Sequence, residues 1–235
     1  MLNKMNILIF IIMISNILKA KSLPHLEERM KYNNTDFVFD LAGSKPTTNG
    51  LAGTGRSVNV ESLPSLAGEG VAMVIFHIDP CGINLPHVHP RATELFFVVE
   101  GTFKTSFIEE NTGRTIVNVL KPGQATFFPH GLIHEEQNIG CEPATFISAF
   151  SSDDPGVLTI SNRLFTLPEE ALTSTFNITM SQVDQIRKNL PTNPAKGTSE
   201  CLNRCALLNQ SNNTKTSTKK SKTTTKKRRT IFNFF

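Results

Sequence analysis

His87 and His89 are separated by one residue, Glu94 follows the second by five positions, and His134 lies forty residues beyond Glu94. Imidazole nitrogens with a carboxylate oxygen form a mixed donor set that suits Mn, Fe, Co, Ni or Zn. On a strand, alternate side chains share a face, so both imidazoles of His-x-His point one way and Val88 the other. Glu94 opens an apolar stretch, where a buried carboxylate needs a partner. Four such ligands leave two places of an octahedron for water or a small substrate. An isolated His-x-His fits equally well two surface residues on an ordinary strand, so the surroundings have to choose. The other histidines read differently: His25 in an N-terminal arm, His77 as a structural residue of a strand, and His130 in a tight turn near a rim.

The elements that must position these residues are short strands. "FVFDL" (Phe37 to Leu41) alternates as a half-buried strand does, and a Gly/Thr/Ser-rich link follows from Ala42 to Arg56. Further strands are expected at "VAMVIFHI" from Val71, "ELFFVVEG" from Glu94, "TFKTSFIEE" from Thr102 and "TIVNVL" from Thr115. "QATFFP" from Gln124, "LIHEEQN" from Leu132, "ATFISAF" from Ala144 and "GVLTIS" from Gly156 complete the set. Short strands at regular spacing with Gly/Pro turns predict an all-β sandwich or small barrel. Two short helices follow, "LPEEALTSTF" (Leu167 to Phe176) and "SQVDQIRKNL" (Ser181 to Leu190). The second carries an apolar stripe of Val183, Ile186 and Leu190, with Ser181 and Asp184 as a capping box and Pro191 and Pro194 as its stop. The fold class is therefore all-β with short C-terminal helices. The expected organisation is a signal peptide at 1–20, an arm at 21–35, the barrel at 36–165, a helical segment at 166–206 and a basic disordered tail at 207–235.

Both ends of the chain differ from its middle. Lys4 precedes an apolar run from Ile7 to Leu18, and Ala20 stands before a plausible cleavage point, the layout of a secretory signal peptide. The run is short for a bilayer and is interrupted by Ser15 and Asn16, so no transmembrane segment is expected after cleavage. Asn33, Asn177, Asn209 and Asn212 each begin an Asn-x-Ser/Thr sequon, as in a secreted glycoprotein. The 4 cysteines, Cys81, Cys141, Cys201 and Cys205, are an even number that suits disulfides in an oxidising compartment, and three pairings remain open. From Ser211 to Arg229 the chain has eight basic residues and no acid; without them the formal net charge of +4 becomes −4. Basicity thus belongs to the tail, and a nucleic-acid partner is not expected. A weak attraction of the tail to an anionic wall or membrane surface is. With 17 Phe, 1 Tyr and no Trp, Phe must supply the aromatic packing.

Two stretches resemble a known family. "CGINLPHVHPRATELFFVVEG" (Cys81 to Gly101) follows the cupin pattern Gly-x5-His-x-His-x4-Glu-x6-Gly, with Cys81 in place of the first Gly. "GQATFFPHGLIHEEQN" (Gly123 to Asn138) follows the second cupin pattern, Gly-x5-Pro-x-Gly-x2-His-x3-Asn, without departure. Over roughly Asp36 to Cys205 the chain is similar to secreted germin-like and spherulin-like cupins. The resemblance implies a jelly-roll β-barrel holding manganese, or another divalent transition metal, through His87, His89, Glu94 and His134.

It also implies two kinds of function. The first is a manganese oxidoreductase acting on oxalate, with O2 consumed and CO2 and hydrogen peroxide released, or on superoxide. The second is a non-catalytic metal-binding wall, storage or encystment protein. Oxalate oxidases of this kind place Asn residues near the substrate: Asn84 matches one position, but the other falls on Val74. Where the family often has Gln, this chain has Glu136, on the same side as His134 if the segment is a strand. Asn84 and Glu136 are the candidate catalytic residues, Glu136 as a proton relay or else as a salt-bridged or rim acid. Glu135 should point away. The chain has no cysteine before Cys81, so the N-terminal disulfide of plant germins is missing and their hexamer does not carry over. A dimer or trimer through barrel edges and the C-terminal helices is expected instead.

Overall fold

The computed structural model describes residues 26–208 and 210. The signal peptide, His25, the sequons at Asn209 and Asn212 and the basic run 211–229 lie outside the described residues. Among the described residues eleven strands form two antiparallel sheets. They are β1 (Thr48–Gly50), β2 (Gly53–Val58), β3 (Ala72–Ile78), β4 (Ile83–Val88), β5 (Glu94–Glu100), β6 (Phe103–Ile108), β7 (Thr115–Leu120), β8 (Ala125–Phe128), β9 (His134–Asn138), β10 (Ala144–Phe150) and β11 (Leu158–Thr159). One sheet runs β1-β2-β3-β10-β5-β8 and the other β11-β4-β9-β6-β7.

Period-two alternation explains the core. β3 turns Ala72, Val74, Phe76 and Ile78 inward, β5 turns Glu94, Phe96 and Val98, and β10 turns Ala144, Phe146, Ser148 and Phe150. Phe76, Phe96 and Phe103 all pack on Phe146, with ring centroids 5.0, 4.6 and 5.3 Å away. Each fully buried Phe contributes about 1.5–3 kcal/mol by removal from water. Two inward positions break the apolar pattern, Glu94 and Ser148, and they lie on neighbouring strands.

Several elements differ from the sequence expectation. "FVFDL" is not a strand: a 3-10 helix spans Asn34–Phe37, and the Asn33 N–H donates to the Asp36 carboxylate at 2.7 Å. Asn and Asp side chains offer the backbone this local alternative to a ladder. The Gly/Thr/Ser-rich "link" instead forms the β1–β2 hairpin on a sheet edge. Its glycines are there for close approach, since a Cβ on Gly55 would stand 2.6 Å from the Phe76 ring. "GVLTIS" yields only the short β11 before a helix. The helices are α1 (26–29), α2 (Ile160–Leu164), α3 (Glu169–Phe176), α4 (Met180–Asn189) and α5 (199–208). The capping box of α4 is Thr179 with Gln182, two residues earlier than expected. α5 carries helix through Leu208, past the expected start of the tail. No helix among the described residues is long and apolar enough to cross a membrane.

α5 is fastened to the barrel by both disulfides, Cys81–Cys201 and Cys141–Cys205. Cys81 sits at φ +63°, the left-handed region that favours the glycine the family pattern has there. Upstream of α5 the chain runs alongside β4, where Ile83 and Ala195 exchange two backbone hydrogen bonds of 2.9 Å. That strap delivers Asn193 to the barrel interior.

Candidate metal centre

The donor atoms of His87, His89, Glu94 and His134 all lie within 4.8 Å of one another, and all four residues are buried. β4 supplies His87, the turn after it His89, the first residue of β5 Glu94 and the first residue of β9 His134. Each ring is held by its other nitrogen. His87 Nδ1 lies 2.8 Å from the Leu85 carbonyl, His134 Nδ1 2.8 Å from that of Leu132, and His89 Nδ1 2.5 Å from that of Gly156. A carbonyl only accepts, so each Nδ1 carries the proton and each Nε2 presents a lone pair. Aromatic neighbours fix the ring planes: Phe128 stacks on His134 at 4.3 Å and Phe150 packs on His89 at 4.6 Å.

Glu94 Oε2 stands 3.1 Å from His134 Nε2 and 3.2 Å from His89 Nε2. A bare Nε2 facing a carboxylate oxygen at that range needs either a proton or a metal ion between them. Two ligands of a first-row ion at roughly 2.1 Å and a right angle stand about 3 Å apart. The residues therefore fit a divalent transition metal in both donor type and spacing. Glu94 Oε1 accepts from the Ser148 hydroxyl. Burial would push the Glu94 carboxyl up, but the His134 and His89 hydrogen bonds outweigh it and hold it below the usual carboxylate range. Burial, reinforced by His134, pushes His87 down to about 3, which keeps its ring neutral and available as a ligand.

Glu136 is also wholly buried, on the same side of β9 as His134. Its Oε2 accepts from the Asn84 amide at 2.8 Å, and its Oε1 has no hydrogen-bond partner and lies 4.0 Å from His134 Nε2. Thr105, opposite Glu136 across the β6–β9 ladder, likewise has an unpaired hydroxyl. Burial, then the Glu94 charge, raises the Glu136 carboxyl well above its ordinary range. Glu135 points to the opposite face and accepts from Ser106 at 2.7 Å. His77 pairs with Thr145 on the outer face of its sheet, and exposed His130 with the Pro90 carbonyl, both outside the cluster.

Asn84 and His87 are three residues apart, so a regular strand would turn them to opposite faces. β4 carries an irregularity here: Asn84 pairs with Glu136 and His87 with His134, so Leu85 and Pro86 together oppose Glu135 alone. That bulge, at Leu85 and Pro86, brings both side chains inward. Asn193 completes the group. Its amide donates to Asn84 Oδ1 at 2.5 Å, and its Oδ1 accepts from the Leu85 N–H at 2.7 Å. Sequence reasoning missed Asn193, which stands in a coil after a helix with no periodic signal. It also missed Ser148, although a lone Ser on the apolar face of "ATFISAF" was a usable signal.

A cavity of about 170 Å³ opens beside the cluster. Asn84, His87, His89 and Glu94 line it together with Val74, Phe76, Phe146 and Phe150.

The cupin profile matches residues 39–184, which contain both sheets and all four ligands. Spherulin-1A of Physarum polycephalum is 40% identical over 195 residues, 82% of this chain and 78% of its own length. Germin-like protein subfamily 2 member 2 of Arabidopsis thaliana is 38% identical over 175 residues, 71% of this chain and 78% of its own. A solved oxalate oxidase superposes with a TM-score of 0.61 at 25% identity, over 66% of this chain and 81% of its own. With the two-sheet barrel, the inward His-His-Glu-His group and these relatives in agreement, the chain belongs to the cupin family, among its germin- and spherulin-like members.

Proposed function

We propose that this protein is a secreted, manganese-binding cupin that performs oxidoreductase chemistry on a small molecule. The observation that carries the reading is the inward turn of three Nε2 lone pairs toward the Glu94 carboxylate, fixed by three Nδ1–carbonyl bonds. His87, His89, Glu94 and His134 would hold the metal, which supplies a one-electron couple and a Lewis-acid site for an oxygen ligand. The chain's own residues do the rest. Ser148 keeps Glu94 oriented, Glu136 stands near the cluster as a proton-holding group, and Asn84 orients Glu136. Secretion is supported by two disulfides joining distant parts of the chain. The sequons at Asn33 and Asn177 are exposed, as glycosylation requires. Met73, Leu95, Phe97 and Phe127 form an exposed apolar plate on the outer face of the larger sheet, which supports self-association.

Metal analysis of the secreted protein, with oxalate-dependent peroxide and superoxide-removal assays, tests the reading. One manganese per chain, lost in His89→Ala, and turnover in either assay are the expected results. A metal-free protein whose stability is unchanged by His89→Ala would overturn the metal site. A second reading, a metal-binding protein without catalysis, is favoured by one observation: Val74 stands where an oxalate oxidase would have an amide. Bound manganese with no turnover on either substrate would select it.

A further inference from the structure

The lining beside the metal ligands defines what the cavity accepts. Its buried apolar members include Ala72, Val74, Phe76, Phe146 and Phe150. The polar side chains Thr48, Ser57, Asn59 and Asn193 are only partly buried. Asn84, the buried amide in the lining, gives one N–H to Glu136 and its carbonyl accepts from Asn193, which leaves a single N–H. That single N–H is what the buried part of the lining offers to a second anionic group. Oxalate reaching past the metal would place its second carboxylate against Val74 and the Phe rings, with that one N–H to replace its water, an unfavourable exchange. A molecule with one oxygen-anion head and an apolar body meets no such cost. Its head can share the metal, and its body removes apolar wall from water. The volume of about 170 Å³ is close to that of a cavity that takes one benzene ring, about 150 Å³.

We propose that the cavity binds a small monoanion, a carboxylate or phenolate head on an apolar body about one aromatic ring in size, with its head at the metal and its body against Val74, Phe76, Phe146 and Phe150. This rests on the metal-site reading above and adds the ligand class. Val74 is the position that separates this ligand from oxalate.

Calorimetric titration of the full-length, manganese-loaded protein with benzoate and with oxalate, alongside metal analysis, tests it. Benzoate is expected to bind one per chain and at least tenfold more tightly than oxalate. Val74→Leu, which extends the wall into the cavity where the ring would lie, should weaken benzoate at least tenfold with metal content retained. Val74→Asn should narrow the gap between the two ligands. Oxalate binding more tightly than benzoate to wild type, or no benzoate binding to metal-loaded protein, overturns the ligand class and leaves the metal site standing. Unaltered benzoate affinity in metal-loaded Val74→Leu also overturns it. Failure of wild type to take up metal overturns both. The wild-type ratio stands as a test even if neither variant folds.

Discussion

The barrel interior has two corners, each built on a buried glutamate, and they are finished differently. At the Glu94 corner both carboxylate oxygens have partners: Ser148 on one, His89 and His134 on the other. At the Glu136 corner one oxygen has Asn84 and the other has nothing. Both side chains lie inside the same barrel, yet their carboxyls are driven in opposite directions, Glu94 down and Glu136 up. Burial acts alike on both; the partners decide the sign. A fully partnered carboxylate is a ligand held ready for a cation. A half-partnered one holds a proton beside it and adds to the cost of the fold.

Removing Glu94 should break the contrast outright. Glu94→Ala is expected to lower metal affinity more than a hundredfold, read by metal analysis after dialysis against a chelator. Ser148→Ala tests whether the hydroxyl sets the orientation of Glu94. Loss of such an outer partner typically costs about 10–100-fold in metal affinity, and a retained wild-type affinity would show that the imidazoles suffice.

Glu136→Gln should act the other way and stabilise the metal-free protein by about 1–2 kcal/mol, because a buried, half-paired acid is replaced by a neutral amide. The pH dependence carries the sign. A carboxyl raised in the folded state binds its proton there while the unfolded chain, near its ordinary pKa of 4.5, has lost it. Stability from this group is full below that value and falls as pH rises through the folded pKa. The gain from Glu136→Gln should therefore be small near pH 4 and grow toward neutrality in thermal melts. His87 works in the opposite sense. With its pKa lowered from 6.5 to about 3, its contribution is present above 6.5 and is lost as pH falls through that window. Measuring Glu136→Gln against wild type at each pH cancels the shared His87 term. The smallest effect is expected from Asn193→Ala, about 1 kcal/mol, because the position is partly exposed and water can replace its amide; a larger loss would show that the strap holds the Glu136 corner in place.

Much of the Glu94 corner was legible in the chain. His-x-His with Glu94, and a later His134 behind a Gly/Pro turn, form two motifs of fixed spacing, and spacing on a strand sets the face. Most strand positions were legible for the same reason, since half-buried strands alternate. The failures were local and physical. "FVFDL" alternates but has side chains that favour a turn, and the Gly/Thr stretch read as a link because close packing on Phe76 leaves no room for larger side chains. The Glu136 corner was harder to read. Whether Asn84 faces His87 depends on a bulge, and a bulge depends on the partner strand. Asn193 meets Asn84 across 109 residues of sequence, a contact that no periodicity announces.

The residue sequence by itself supplied the four candidate donor residues, the barrel class and the identities of Val74 and Glu136. Their identities and short-range spacing require no knowledge of the rest of the chain. The tertiary structure decided the two disulfides, the supply of Asn193 by the strap, the bonds of Asn84 to Glu136 and Asn193, and the gathering of apolar residues from β3 and β10 along the cavity. Each of these depends on which distant segments come to lie side by side, and only the closed packing of both sheets specifies that.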